Sequence, residues 1–170
     1  MTTDPYEGIA HLDEDRVLAL AAGLETRARD PRQQEMCQSS LSDIEFPAQA
    51  SVVDVGCGTG PVSRLLASFP LVQRVYGLDP SPVLLSRARQ LTADEPKVTY
   101  GQAAGMALPL SDRSVDVVVL HTVLSHVPDP RQVVTEPPGS PEPEAGSPPS
   151  TPTCRRSRSP GPTTIRCSAW

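Results

Sequence analysis

Four residues at alternate positions carry the clearest chemical signal in this chain: Asp54, Gly56, Gly58 and Gly60, in Val52-Val53-Asp54-Val55-Gly56-Cys57-Gly58-Thr59-Gly60. A β-branched run leads into the glycines, and Val62, Leu65, Leu66 and Phe69 follow at helical spacing. Glycines in a strand-to-helix turn let the backbone approach a ligand closely and adopt positive φ. The helix start behind them presents backbone N–H groups. This is binding chemistry, because no nucleophile stands beside a base. Cys57, inside the turn, reads as a small side chain that fits there rather than as a reactive thiol.

Spacing excludes two common ligands. A dinucleotide fingerprint needs G-x-G-x-x-G. Counting from Gly56 its last glycine falls on Pro61, and counting from Gly58 it falls on Ser63. A phosphate loop needs a Lys after its last glycine, and none follows here. His121 is a further candidate, at the end of the apolar run Val115–Leu120, where open α/β sheets bind ligands. It could touch a ligand or act as a base. His126 reads more simply as a histidine satisfied by backbone contacts.

These residues need a scaffold of alternating strands and helices. The sequence predicts strands at Ser51–Val55, Val72–Leu78, Lys97–Tyr100 and Val115–Leu120. Between them lie a helix from Val62 and a helix capped by Ser81-Pro82 that carries Leu84, Leu85, Ala88 and Leu91. Another helix is expected to start at Pro130. Such alternation argues a parallel sheet in an α/β fold, Rossmann-like and doubly wound, with about four strands. Two helices precede it. Asp13 caps the first, whose Val17, Leu20, Ala21, Leu24 and Ala28 recur at helical spacing. Asp30-Pro31-Arg32-Gln33 starts the second, with Met36, Leu41 and Ile44 as its apolar face and Pro47 as its stop.

With these elements in place, residues 50–135 resemble the class I S-adenosylmethionine-dependent methyltransferases, of the small-molecule type. The resemblance rests first on D-x-G-x-G-x-G, then on Gly77-Leu78-Asp79-Pro80-Ser81, Gly101-Gln102-Ala103, Ala107-Leu108-Pro109-Leu110 and His121–Asp129. It implies S-adenosyl-L-methionine as cofactor, with Gly56, Cys57, Gly58, Thr59 and Gly60 wrapping its methionine part and Asp54 supporting the turn. It places Asp79, followed by Pro80, on the ribose, where a carboxylate can accept from both hydroxyls of a vicinal diol. Gln102 and Ala103 would line the adenine, although the family usually has Asp at the first of these positions. His121 would face the methyl-transfer site. Methyl transfer is a displacement that needs alignment and desolvation more than an acid–base pair. No obligatory catalytic residue is therefore expected, and no metal. Residues 1–46 would form a helical lid over a small-molecule acceptor, and residues 47–135 the cofactor-binding core.

Composition bounds the rest. The 170 residues carry a net charge of −5, which argues against a general nucleic-acid partner. No apolar run reaches the length of a membrane span, and Met1–Ala10 does not read as a signal peptide. Cys37, Cys57, Cys154 and Cys167 lack paired spacing and suit a reducing, cytoplasmic setting. No specific protein partner is evident. At Glu136 the pattern stops. Residues 136–170 hold nine of the 20 prolines and six apolar residues, too few to offset the entropy of ordering. The tail is therefore expected to be disordered. Its abrupt onset suggests a truncated or frameshifted product, which makes an inactive or non-folding chain the alternative to a working enzyme. In either case Val115–Leu120 would become an exposed sheet edge.

Overall fold

The computed structural model describes Ile9 and residues 12–103, 115–121 and 163–167. Two helices, α1 (Glu14–Ala28) and α2 (Pro31–Ser42), precede the sheet. The sheet and its crossovers then follow as β1 (Ala50–Val55), α3 (Pro61–Ala67), β2 (Val72–Asp79), α4 (Pro82–Leu91), β3 (Val98–Gln102), β4 (Val117–His121) and β5 (Thr163–Cys167).

Both leading helices start where their caps require. The Asp13 carboxylate accepts from Arg16 N at 2.9 Å, and Asp30 accepts from Arg32 N at 2.9 Å and Gln33 N at 3.1 Å. Along α1 the buried stripe is Val17, Ala21 and Glu25, and it packs on Leu84 of α4. In α2 the expected apolar face narrows to Leu41. Met36 is 39% exposed, and Ile44 lies beyond the helix end, buried with Leu41 in the sheet core. The helix ends at Ser42, capped by Asp43, before Pro47 is reached.

All strand pairs are parallel, in the order β3-β2-β1-β4-β5. The chain moves outward from β1 through β2 to β3, then returns to the other side of β1 as β4. Strand order thus reverses between β1 and β4, and ligands of doubly wound sheets bind at the carboxyl ends of such a pair. One face of the sheet packs Val52, Val75, Val117 and Val119 against Leu41, Val62 and Leu66. The other face gathers Val53, Val55, Leu78, Ala103 and Leu120. Burial on both faces explains why β1 and β4 are rich in valine rather than alternating apolar with polar residues.

One expectation needs correcting. Thr163–Cys167, within the segment expected to lack order, forms a fifth strand on β4, in register from Val117↔Thr163 to His121↔Cys167. An edge strand needs only a few residues of β propensity. Thr163, Thr164 and Ile165 are β-branched, and their ladder satisfies backbone groups that β4 would otherwise expose. Strands β1–β4 are the about four strands expected, and this further strand covers the edge of β4 along its ladder. The rest of the tail, the helix expected at Pro130, His126 and the Ala107–Leu110 loop lie outside the described residues. No helix among the described residues is long and apolar enough to cross a membrane.

Candidate functional site

The glycine turn begins where β1 ends and closes on the tip of β2. Gly56 N and Cys57 N both donate to the Leu78 carbonyl, at 2.7 and 3.0 Å, and Gly60 N donates to Cys57 O at 2.8 Å. Gly58 N donates to Asp79 Oδ2 at 2.9 Å. The turn's own N–H groups at Gly56, Cys57, Gly58 and Gly60 are thus occupied by the protein itself. Two glycines show why no other residue fits. Gly58 has φ +57°, and a Cβ there would stand 3.1 Å from Leu24 Cδ1 of α1. Gly60 has φ +82°, and a Cβ there would run into the Tyr100 hydroxyl.

Asp79 organises the tip of β2. Its Oδ1 accepts from Ser81 N at 2.9 Å, its Oδ2 accepts from Gly58 N, and its carbonyl accepts from Ala103 N at 3.2 Å. Burial pushes its carboxyl up from the ordinary carboxylate range, while the Ser81 and Gly58 N–H groups pull it back. A carboxylate offers about four lone-pair directions. Two are filled here by backbone donors, one on each oxygen, so each oxygen can take one further donor. That capacity matches a vicinal diol.

Asp54 has a different surrounding. It is 1% exposed, and its Oδ2 accepts from Ser63 Oγ of α3 at 2.6 Å. Burial pushes its carboxyl up to about 7, against the lowering effect of the Ser63 hydroxyl and with a smaller upward push from Asp79. It ties the strand to the helix beneath the turn. Cys57 is buried, and its surroundings push the thiol further from ionisation, which fits the packing role expected of it. Thr59 is fully buried and donates to Glu25 of α1.

The accessible rim consists of Gly56, Pro80, Gln102 and His121, at the carboxyl ends of four adjacent strands. Gln102 is exposed, and its Nε2 donates to the Pro80 carbonyl at 3.0 Å, which orients the amide over β2. Ala103 is buried behind it. His121 is half-buried at the tip of β4, and burial lowers its imidazole below the usual range, so the ring is neutral at pH 7. The expected set therefore divides in two. Gly56, Pro80, Gln102 and His121 line the rim, with Asp79 at its floor. Asp54, Cys57, Gly58, Thr59, Gly60 and Ala103 are buried behind it.

Sequence reasoning missed Glu25 and Arg64. Arg64 of α3 makes an ion pair with Glu25 at 3.0 Å and donates through Nη1 to the Thr59 carbonyl at 3.0 Å. One signal was available. Glu25 falls four residues after Ala21 and eight after Val17, on a stripe that otherwise holds apolar side chains. A groove of about 700 Å³ runs between α1 and α4, lined among others by Leu18, Ala22, Glu25, Val83 and Arg87, so Glu25 borders both this groove and the turn.

Comparison with known proteins agrees with this geometry. The profile of the methyltransferase domain family matches residues 53–137, half of the chain. An uncharacterized methyltransferase of Mycobacteroides abscessus is 39% identical over 82 residues, covering 47% of this chain and 31% of the relative. The 2-phytyl-1,4-naphtoquinone methyltransferase of Thermosynechococcus vestitus is 32% identical over 100 residues, covering 58% of this chain and 44% of the relative. This chain thus spans less than half the length of either curated relative. The crystal structure of a SAM dependent methyltransferase from Aquifex aeolicus superposes with a TM-score of 0.57 at 19% identity, over 73% of this chain and 64% of that one, and shares the fold. The motif, the parallel sheet and the family profile agree, and the chain belongs to the class I S-adenosylmethionine-dependent methyltransferase family.

Proposed function

We propose that this chain binds S-adenosyl-L-methionine across the rim formed by Gly56, Pro80, Gln102 and His121, and directs its methyl group to a small-molecule acceptor. The observation that carries the reading is the Asp79 carboxylate, held by Gly58 N and Ser81 N with one further acceptor direction on each oxygen. Bound there, the cofactor supplies an electrophilic methyl group on a sulfonium sulfur. The protein's part is to bind and align. Asp79 accepts from the ribose diol, the Gly56–Gly60 turn fits the methionine part, and Gln102 offers its side-chain oxygen to the adenine. His121, neutral in its half-buried setting, borders the place where the methyl leaves and can accept a hydrogen bond there. Residues 1–46 serve as the lid, and a small acceptor is supported by the quinone-type substrate that the Thermosynechococcus relative's name states.

Calorimetric titration with S-adenosylhomocysteine tests the reading. Wild-type protein binds it and does not bind NADH. Asp79→Ala loses roughly 10–100-fold in affinity, the value of charge-assisted hydrogen bonds. Equal affinities in the two proteins would overturn the ribose assignment. Transfer of labelled methyl to a panel of phenolic and quinol acceptors separates a working enzyme from a chain that holds cofactor without turnover.

A further inference from the structure

The glycine turn is held from a second side, by a residue 34 positions before Thr59. Glu25 of α1 is 9% exposed. Its Oε1 accepts from Thr59 Oγ1 at 2.5 Å. Arg64 Nη2 donates to Oε1 at 3.1 Å and to Oε2 at 3.0 Å, while Arg64 Nη1 reaches the Thr59 carbonyl at 3.0 Å. The side chain and the carbonyl of Thr59 are therefore both tied, and α1, the turn and α3 close into one ring of contacts. Beside it, a Cβ on Gly58 would come within 3.1 Å of Leu24 Cδ1 of α1.

Thr59 sits between two glycines at positive φ. Glycines on both sides leave an unanchored turn unusual backbone freedom, which it would lose on binding a ligand. A buried ion pair adds little net stability over an apolar packing, but it fixes geometry. We infer that Glu25 is a positioning residue for the cofactor turn. Its bonds to Thr59 and Arg64 make the docking of α1 and the binding-ready shape of Gly56–Gly60 a single event. The N-terminal helix then serves the cofactor directly, beyond any role as a cover. This inference rests on the turn being the cofactor site.

Four variants test it, read by S-adenosylhomocysteine affinity and by melting temperature. Glu25→Ala weakens binding about tenfold, because the turn must be ordered by the ligand. Glu25→Gln, which keeps an acceptor for the Thr59 hydroxyl, recovers most of that loss. Thr59→Val loses about as much as Glu25→Ala, and combining the two adds little, as expected of partners in one contact. Asp13→Ala removes the cap of α1 far from the turn and lowers the melting temperature with affinity unchanged. If Glu25→Ala only lowers the melting temperature, as Asp13→Ala does, the inference is overturned. Should Glu25→Ala fail to fold, Thr59→Val decides alone, and unchanged affinity there overturns it equally. Wild-type protein that binds no S-adenosylhomocysteine would instead overturn the functional reading, and with it this use of Glu25.

Discussion

Two buried aspartates stand on adjacent strands of one sheet and do different work. Asp54, near the end of β1, faces α3 and meets Ser63 through its Oγ at 2.6 Å and its backbone N–H. Asp79, at the tip of β2, meets two backbone donors, Gly58 N and Ser81 N, both at 2.9 Å. Burial raises both carboxyls, yet only Asp79 has two N–H groups that favour its ionised form. The lesson is that residue type alone did not separate a supporting acid from a binding acid. The donors differ: backbone N–H groups hold the Asp79 carboxylate at a strand tip, as the proposed ribose contact requires, while a helix hydroxyl beneath the turn ties Asp54's strand to its crossover.

The largest effect should come from breaking what both acids support. Gly60→Val places a β-branched residue at φ +82° against the Tyr100 hydroxyl. Strain of this kind costs about 1–3 kcal/mol before any overlap is relieved, so the melting temperature drops and S-adenosylhomocysteine binding is lost. Unchanged binding in a calorimeter would show that the turn tolerates a side chain and is not the site. Next in size is Asp79→Asn, which keeps an acceptor oxygen but loses charge. It should weaken binding by about 1.5 kcal/mol or more, roughly tenfold, with a smaller change in stability. A variant with a lowered melting temperature and unchanged affinity would place Asp79 with Asp54 as a support.

Asp54 sharpens the comparison through pH. Its folded pKa of about 7 lies above the model-peptide value of 3.8. The folded state therefore binds the proton more tightly, and stability is full below about 4 and declines as pH rises toward 7. Asp79, also raised, adds in the same direction, whereas His121, lowered from 6.5, costs stability as pH falls below that value. The difference between wild type and Asp54→Asn isolates the first term. Melting temperatures from pH 5 to 7.5 should fall more steeply in the wild type, with cofactor affinity at pH 5 alike in both. Parallel curves would remove Asp54 from the account. The smallest effect is expected at the exposed rim, where Gln102→Ala weakens binding only about two- to fivefold, the value of one neutral hydrogen bond. A loss as large as that of Asp79→Asn would move the main recognition from the ribose to the adenine.

The legible and illegible parts of the molecule divide along sequence distance. The turn, the strand tips and the three helix caps are local patterns, and Asp13, Asp30, Ser81 and Gly56–Gly60 stand where their residue types required. Glu25 was not legible as a partner of Thr59, because that contact depends on how α1 docks across the molecule. Thr163–Cys167 was hidden for a related reason. A five-residue edge strand leaves little periodicity, and surrounding proline and serine masked its β-branched run. The division of Asp54 from Asp79 came with the family resemblance, and the fold adds the donors that each carboxyl meets.

Amide chemical-shift mapping of the isotope-labelled chain with S-adenosylhomocysteine bears most directly on the cofactor site. The account predicts the largest shifts at Gly56, Gly58, Asp79, Ser81 and Gln102, with smaller ones at Thr59 and Glu25. Shifts confined to the α1–α4 groove, at Leu18, Ala22, Val83 and Arg87, would contradict it.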